Sequence, residues 1–586
     1  MLQFVNVKFQ LFDVESKHGR AKKVRDQIRR LKEDIQRFLQ NKVFLILLLL
    51  TAVGCYGFKL MHPTIGIDDT PYADYFSDGL AVVVGRWVMY LLNRFLNIGD
   101  FAPFLTDFAG VLLLIVAAVL WSVVFYRIFR DNIPAWGYLV FACLFLSNPL
   151  ISEVYTYFLH NGIATGYVCS AIAILGFQEL LERQRMKDRL GPFLVAAVGC
   201  WVAVGCYESF AVVFLVAAVL VLIARRICGK KDKPVRSILF AGAALVAAIV
   251  LRSLMVNLLI QVFSLQHLQE DGVRRSLTEI LGWIGDPKLR AEFTMALKRL
   301  FVMYGVFAYH YLPIWMYVVA CMIFGLYSLW CFLRRKDLWI LVYMVGAFVA
   351  SWILILVEGK VTLYRACQFL PLFSAFAFLL LIYAGRKLWE LPTQASAVWK
   401  KRVRDLAVGL CMAAAFVAVW NQTADMNKWF YVDYRKYEDA RETAGNIALE
   451  LEKDYDTSKP LVFIGDYYVP MEIIQDAYVP IGSKTFYKMN RITSMIDEHL
   501  LEKFYRRNNV WVAQTPSLSV LSWGMTAFDG NQELIQFLKM HGHTFVATEG
   551  EDFIHQVLMD NLDMPAWPKQ GSIREEEEYI IINFGF

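Results

Sequence analysis

Apolar residues fall in long blocks along this chain, separated by short intervals that are mostly basic. A helix needs roughly 20 mostly apolar residues to cross the hydrocarbon core of a bilayer. Blocks of that kind lie near residues 43–60, 103–126, 134–150, 162–181, 192–206, 210–224, 237–256, 312–333, 338–357, 368–384 and 405–420. The pattern predicts about eleven spanning helices, hence a mainly α polytopic membrane protein. Between the first two blocks, "GLAVVVGRWVMYLLNRFLN" (79–97) repeats Arg86, Tyr90, Asn93, Arg94 and Asn97 at helical spacing. One polar stripe on an apolar cylinder predicts a helix lying in the membrane interface.

After residue 420 the pattern changes. A charged helical stretch leads into "LVFIG", a helix near 492–505, "VWVAQ", the helix "QELIQFLKM", then "TFVAT" and "YIIINF". Strands and helices taking turns predict a small α/β domain, with α+β left open. The domain plan is therefore a basic segment at 1–42, a membrane domain at 43–420 whose first outer loop is 61–102, and a unit at 421–586.

Composition sharpens the class. The chain is 57% hydrophobic and 15% aromatic, with a mean hydropathy of +0.43, above the roughly 45–50% apolar content of soluble domains. Net charge is only +6, but its placement is informative. The runs "KKVRDQIRRLKEDIQR", "RIFRD", "RQRMKDR", "RRICGKKDKPVR", "RRKD" and "KKRVR" all fall on one side of the alternating spans. Lys and Arg concentrate in cytoplasmic loops, so the N-terminus is expected inside and the 421–586 unit outside the cell membrane. No basic surface interleaved with aromatics calls for nucleic acid. The ten cysteines sit mostly in apolar runs, among them Cys55, Cys143, Cys169, Cys200, Cys321 and Cys411. Their spacing offers neither a disulfide framework nor a CxxC metal site. Segment 1–42 lacks the short apolar core of a cleaved signal peptide and is expected to be retained.

Candidate chemistry concentrates in "HPTIGIDDTPYADYFSDG" (62–79), directly after the first apolar block. Asp78 or Ser77 suits a helix cap. Asp68 and Asp69 are different: partial desolvation and a neighbouring carboxylate both raise a carboxyl pKa, which is how a general base is tuned. Adjacent side chains diverge, so one Asp is expected to face a reactant while the other orients a Lys, an Arg or a metal ion. Arg365, with Lys360 nearby, stands at the outer end of a late span, either as an interfacial snorkel or as a clamp on a lipid phosphate. Arg252 lies within an apolar block and needs a partner or a wet cavity. Glu153, His160 and Asn161 mark one outward turn and Tyr207 and Glu208 another. With Asp74 and the Asp pair they would surround one outward-facing cavity. His541 and His543 form a weak metal pair, since zinc sites recruit three or four ligands. Glu575 to Glu578 reads as a solvated turn. Tyr467, Tyr468, Trp511 and Trp523 offer sugar-stacking faces or, equally, core.

The segments "HPTIGIDDTPYADYFSDGL", "SNPLISEVYTYFLHNG", "GCYESF" and "LYRACQFLPLF" resemble those of the GT-C membrane glycosyltransferases, and more closely the GtrII-type glucosyltransferases. The resemblance covers the membrane part to about Trp420. It implies inverting transfer of a hexose, glucose in that family, from a polyprenyl-phosphate donor to a hydroxyl of a cell-surface polysaccharide on the outer side. In that scheme Asp68 or Asp69 is the base, Arg365, Lys360 and Arg252 meet the donor phosphate, and Asp74, Glu153, His160, Asn161, Tyr207 and Glu208 line the cavity or acceptor side. No organic cofactor is implied, and a divalent cation is left open. A transporter or flippase of lipid-linked sugars is the alternative, with Arg252 and Glu208 as pathway residues.

Overall fold

The computed structural model describes residues 27–65, 79–96, 103–155, 160–230, 232–269, 281–300, 315–359, 362–389, 397–467, 495, 499–506, 530–548 and 550–585. The amphipathic helix α1 (27–39) is followed by α2 (Lys42–Met61), α3 (Leu80–Val83), α4 (Trp87–Leu96), α5 (Pro103–Phe129), α6 (Ala135–Leu146) and the short α7 (Ser152–Tyr155). Next come α8 (His160–Glu182), α9 (Leu190–Cys206), α10 (Phe210–Ile227), α11 (Pro234–Val262), α12 (Pro287–Leu300), α13 (Trp315–Arg335), α14 (Leu338–Ser351), α15 (Ile353–Glu358) and α16 (Leu370–Trp389). The last membrane helix is α17 (Ala397–Asp454).

Among the described residues, ten helices are long and apolar enough to cross a membrane, and α14 is a shorter apolar one. The chain turns at Trp352, whose ring packs on Tyr317 and Phe369, and α15 then extends the α14 path. With that pair the count agrees with the apolar blocks, and the chain is a multi-pass membrane protein. The outward faces confirm it physically: Val43, Leu50 and Val53 of α2, Leu239 and Val246 of α11, and Leu406, Leu410 and Phe416 of α17 are all more than half exposed. Such surface is stable only against lipid.

Inside the bundle, α8 and α9 approach most closely through small residues. A Cβ at Gly176 would lie 2.7 Å from the Ala196 backbone nitrogen, and one at Gly199 2.9 Å from that of Ala173. Without a hydrophobic drive between helices in lipid, such small-residue contact is what lets backbones pack.

The basic segments meet at one end of the bundle. Arg130 pairs with Asp34 (2.8 Å), Arg37 with Asp131 (3.0 Å), Arg225 with Asp232 (2.7 Å) and Glu182 (3.1 Å), and Arg226 with Asp337. These pairs pin α1 and several inter-helix turns together at the same face.

Two elements differ from the sequence pattern. The interfacial helix expected over 79–97 is broken into α3 and α4 at Val84–Gly85, where Gly85 adopts φ +92°. The last apolar block, 405–420, is part of a much longer helix: α17 runs uninterrupted for 58 residues, about 87 Å at 1.5 Å per residue. Its apolar face changes partner along that length. Met426, Trp429, Phe430 and Val432 pack into the membrane bundle, whereas Ala440, Ala444, Ile447, Ala448 and Leu451 form core with the C-terminal unit.

That unit adds β1 (Leu461–Ile464), α18 (499–506), α19 (Asn531–Met540), α20 (Glu551–Asp560), β2 (Ile573–Glu575) and β3 (Ile580–Asn583). Strand order is β1-β3-β2, with β1 parallel and β2 antiparallel to β3. All four residues of β1 and of β3 are buried, because both faces are covered. Leu461, Phe463, Ile580 and Ile582 meet α17 and α19, while Val462, Ile464 and Ile581 meet α20 through Val557. "TFVAT" contributes only an isolated bridge, Leu461 to Ala547, and "VWVAQ" lies outside the described residues.

Candidate active site

At the end of the bundle opposite the basic segments, α2, α7, the turn Tyr364–Ala366 and α17 converge. Tyr56 of α2 is fully buried and donates to the Leu146 carbonyl (2.8 Å). Its ring lies 4.9 Å from Tyr155 of α7 and 6.4 Å from Phe430 of α17. These aromatic contacts close the apolar floor of the site.

Above that floor is a group of buried charges. Lys59, in the last turn of α2, is 4% exposed; its ammonium donates to Thr64 Oγ1 (2.5 Å) and stands 3.7 Å from the Asp433 carboxylate. Thr64 Oγ1 in turn donates to Asp433 Oδ2 (2.6 Å). One turn further along α17, Lys436 is buried, with Asp433 and Glu153 as its charged neighbours. Glu153 itself is 0% exposed. Buried ammonium groups and carboxylates thus stand together, and pairing offsets the several kcal/mol that burying an isolated charge costs.

Arg365 is part-exposed in the turn Tyr364–Ala366, which packs beside α7. Gln368 fixes this turn: its Nε2 donates to the Arg365 carbonyl (2.6 Å), and Tyr167 of α8 donates to the Gln368 carbonyl (2.7 Å). The guanidinium is therefore mounted on a braced backbone.

The second group surrounds the α3–α4 break. Interrupting a helix leaves carbonyls without intrahelical donors, and Arg252 of α11 supplies them. Its Nε donates to Gly85 O (3.1 Å) and its Nη2 to Val84 O (3.0 Å). A Cβ at Gly85 would sit 1.9 Å from Arg252 Nη2, so only glycine admits this approach. Arg86 then reaches Glu208 (3.3 Å) and lies over the Tyr207 ring, 4.6 Å from its centroid. Glu208 keeps 48% of its side chain exposed. Burial pushes its carboxyl up, but Arg86, its own backbone amide and Arg252 outweigh that and hold it below its ordinary value.

The sequence candidates thus separate. Glu153 and the Arg365 turn come together near the C-terminal end of α2, and Lys59, Thr64, Asp433 and Lys436 join them there. Tyr207, Glu208 and Arg252 form the other group, centred on Arg86. Arg252, expected to meet donor phosphate, directs two donors at backbone carbonyls. Asp68, Asp69, Asp74 and Lys360 lie outside the described residues. His160 begins α8, and the side chains of His160 and Asn161 are likewise outside them. His541 and His543 turn to separate partners, Tyr437 (3.2 Å) and Glu452 (2.8 Å). Tyr467 is part of the C-terminal core, its hydroxyl bonded to Asp439 and 3.1 Å from Thr443. Among the described residues no group of three His, Cys, Asp or Glu could hold a metal ion.

Residues 57–382, more than half of the chain, match the family model for glucosyl transferase GtrII. The chain belongs to the GtrII glucosyltransferase family. This GtrII family member is accordingly a membrane glycosyltransferase, and both groups of side chains fall largely within the matched region, with Asp433 and Lys436 beyond it. Among solved structures, the archaeal oligosaccharyltransferase AglB from Archaeoglobus fulgidus, in complex with an inhibitory peptide and a dolichol-phosphate, is similar at 12% identity. The alignment covers 81% of this GtrII chain and 69% of that chain, with a TM-score of 0.32. A comparison with curated proteins finds no match.

Proposed function

We propose that this glycosyltransferase takes a hexose, glucose by its family, from a polyprenyl-phosphate carrier in the outer leaflet and transfers it to a hydroxyl of a cell-surface glycan. The observation that carries the reading is the position of the buried charge group. It lies opposite the basic segments, which the positive-inside rule assigns to the cytoplasm, and the acidic loop leaves the bundle from it at Thr64 and Ile65.

The chemistry is a single displacement. The acceptor oxygen attacks the anomeric carbon while Asp68 or Asp69 takes its proton. The bond from that carbon to the phosphate oxygen breaks, the electron pair leaves with the polyprenyl phosphate, and attack from the opposite face inverts the centre. Arg365, with Lys360, meets the charge gathering on the departing phosphate. Asp74, Glu153, His160, Asn161, Tyr207 and Glu208 remain the residues assigned to the cavity and acceptor side. The C-terminal unit stands on the same outer side. The match to a glucosyl transferase family supports transfer over transport, for which Arg252 and Glu208 would be the pathway residues.

Mass spectrometry of surface glycans from cells with and without the protein tests this. Loss of one hexose branch from an otherwise intact polymer is the expected result. An unchanged branch pattern accompanied by loss of a whole lipid-linked unit from the outer leaflet would favour the flippase.

A further inference from the structure

Thr64 and Ile65 are the last described residues before the acid pair, and each is held by the C-terminal part of the chain. Thr64 is 3% exposed. Its hydroxyl accepts from Lys59 (2.5 Å) and donates to Asp433 (2.6 Å), so both its donor and its acceptor capacity are directed and its rotamer is fixed. Ile65 packs against the hydrophobic core that α17 shares with β1, β3 and α19. Asp433 and that core lie beyond residue 382, where the family match ends. The backbone reaches Asp68 in four residues, at most roughly 14 Å, so Thr64 sets the point from which the acid pair extends.

We propose that the C-terminal unit and its α17 stalk position the acidic loop, through a latch formed by Lys59, Thr64 and Asp433 and through Ile65 seated in the C-terminal core. The inference rests on the reading that Asp68 or Asp69 acts on the acceptor. Thr64 and Asp433 are positioning residues: they touch no reactant and act by fixing where the loop begins. A reacting group displaced by about 1 Å can lose on the order of 10²-fold in rate, which gives such a latch its leverage.

The test uses the full-length protein, purified, with polyprenyl-phosphate glucose as donor. Thr64→Val keeps the side-chain shape and both charges but removes the hydroxyl. It should lower kcat at least about tenfold with donor KM unchanged, while Thr64→Ser, which restores the hydroxyl, should stay near the wild-type rate. Chymotrypsin cutting after Tyr72, Tyr75 or Phe76 should be faster in Thr64→Val and unchanged in Thr64→Ser. Ile65→Ala, which leaves the latch intact, should also speed the cut, and serves if Thr64→Val does not fold. Wild-type cleavage and kcat in Thr64→Val or in Ile65→Ala, or equal losses in Thr64→Val and Thr64→Ser, would overturn the proposal. Cleavage needs no sugar transfer, so it stands apart from the donor reading. If the Asp68 and Asp69 variants are inactive while Thr64→Val is unaffected, only the latch fails.

Discussion

Replacing Asp68 and Asp69 singly by Asn should leave the protein inserted and folded, since each change is isosteric, and at least one variant should lose two or more orders of magnitude in sugar transfer. That scale is what removal of a general base costs, about 10²–10⁴-fold. The neighbouring variant should show a smaller loss, because only one of two adjacent side chains can face the reactant. The check is initial-rate transfer at saturating donor and acceptor, normalised to protein recovered from the membrane. A double variant working at the normal rate would reduce the loop to a structural element.

Arg365→Ala should lower kcat/KM for the lipid-phosphate donor by about 10²-fold, comparable to removing one preorganised donor at a site of developing negative charge. Arg365→Lys should recover only part of it, because an ammonium lacks the planar two-pronged donor of a guanidinium. The backbone brace through Gln368 and Tyr167 is untouched by either change, so the turn should keep its place. Measured donor dependence identical to wild type in Arg365→Ala would make this residue an interfacial anchor.

The membrane helices were legible because their signal is long and redundant: a block of apolar residues can lose several members and still cross a bilayer. The α3–α4 break was not. Gly85 reads as one more small residue in an apolar run, and its role appears only when Arg252, 167 positions away, reaches its carbonyl. In the C-terminal unit, β1, β3 and α19 follow from dense apolar periodicity. β2 is three residues, two of them exposed, and α20 buries little beyond Val557, so neither carries enough pattern to stand out.

The site was legible in part for the same reason. Glu153 and Arg365 were recognisable as polar residues at outward turns, and the structure brings their elements together. Lys59 was concealed within the first apolar block, although it is the one charged residue between Val43 and Met61. Asp433 and Lys436 fall in the charged helical stretch after residue 420, where nothing local distinguishes them from their charged neighbours. The meaning of Asp433 lies in a partner 369 residues away, that of Lys436 in Glu153 on α7, and both depend on the continuity of α17 across a boundary where the pattern changes from apolar to mixed.

The central claim is that the sugar comes from a polyprenyl phosphate. The direct measurement is transfer by the purified protein in liposomes, offered either polyprenyl-phosphate glucose or a nucleotide-linked glucose, with the surface polysaccharide as acceptor. The account predicts hexose incorporation from the lipid donor, dependent on Asp68 or Asp69 and on Arg365, and none from the nucleotide donor. Incorporation from the nucleotide donor alone would contradict it.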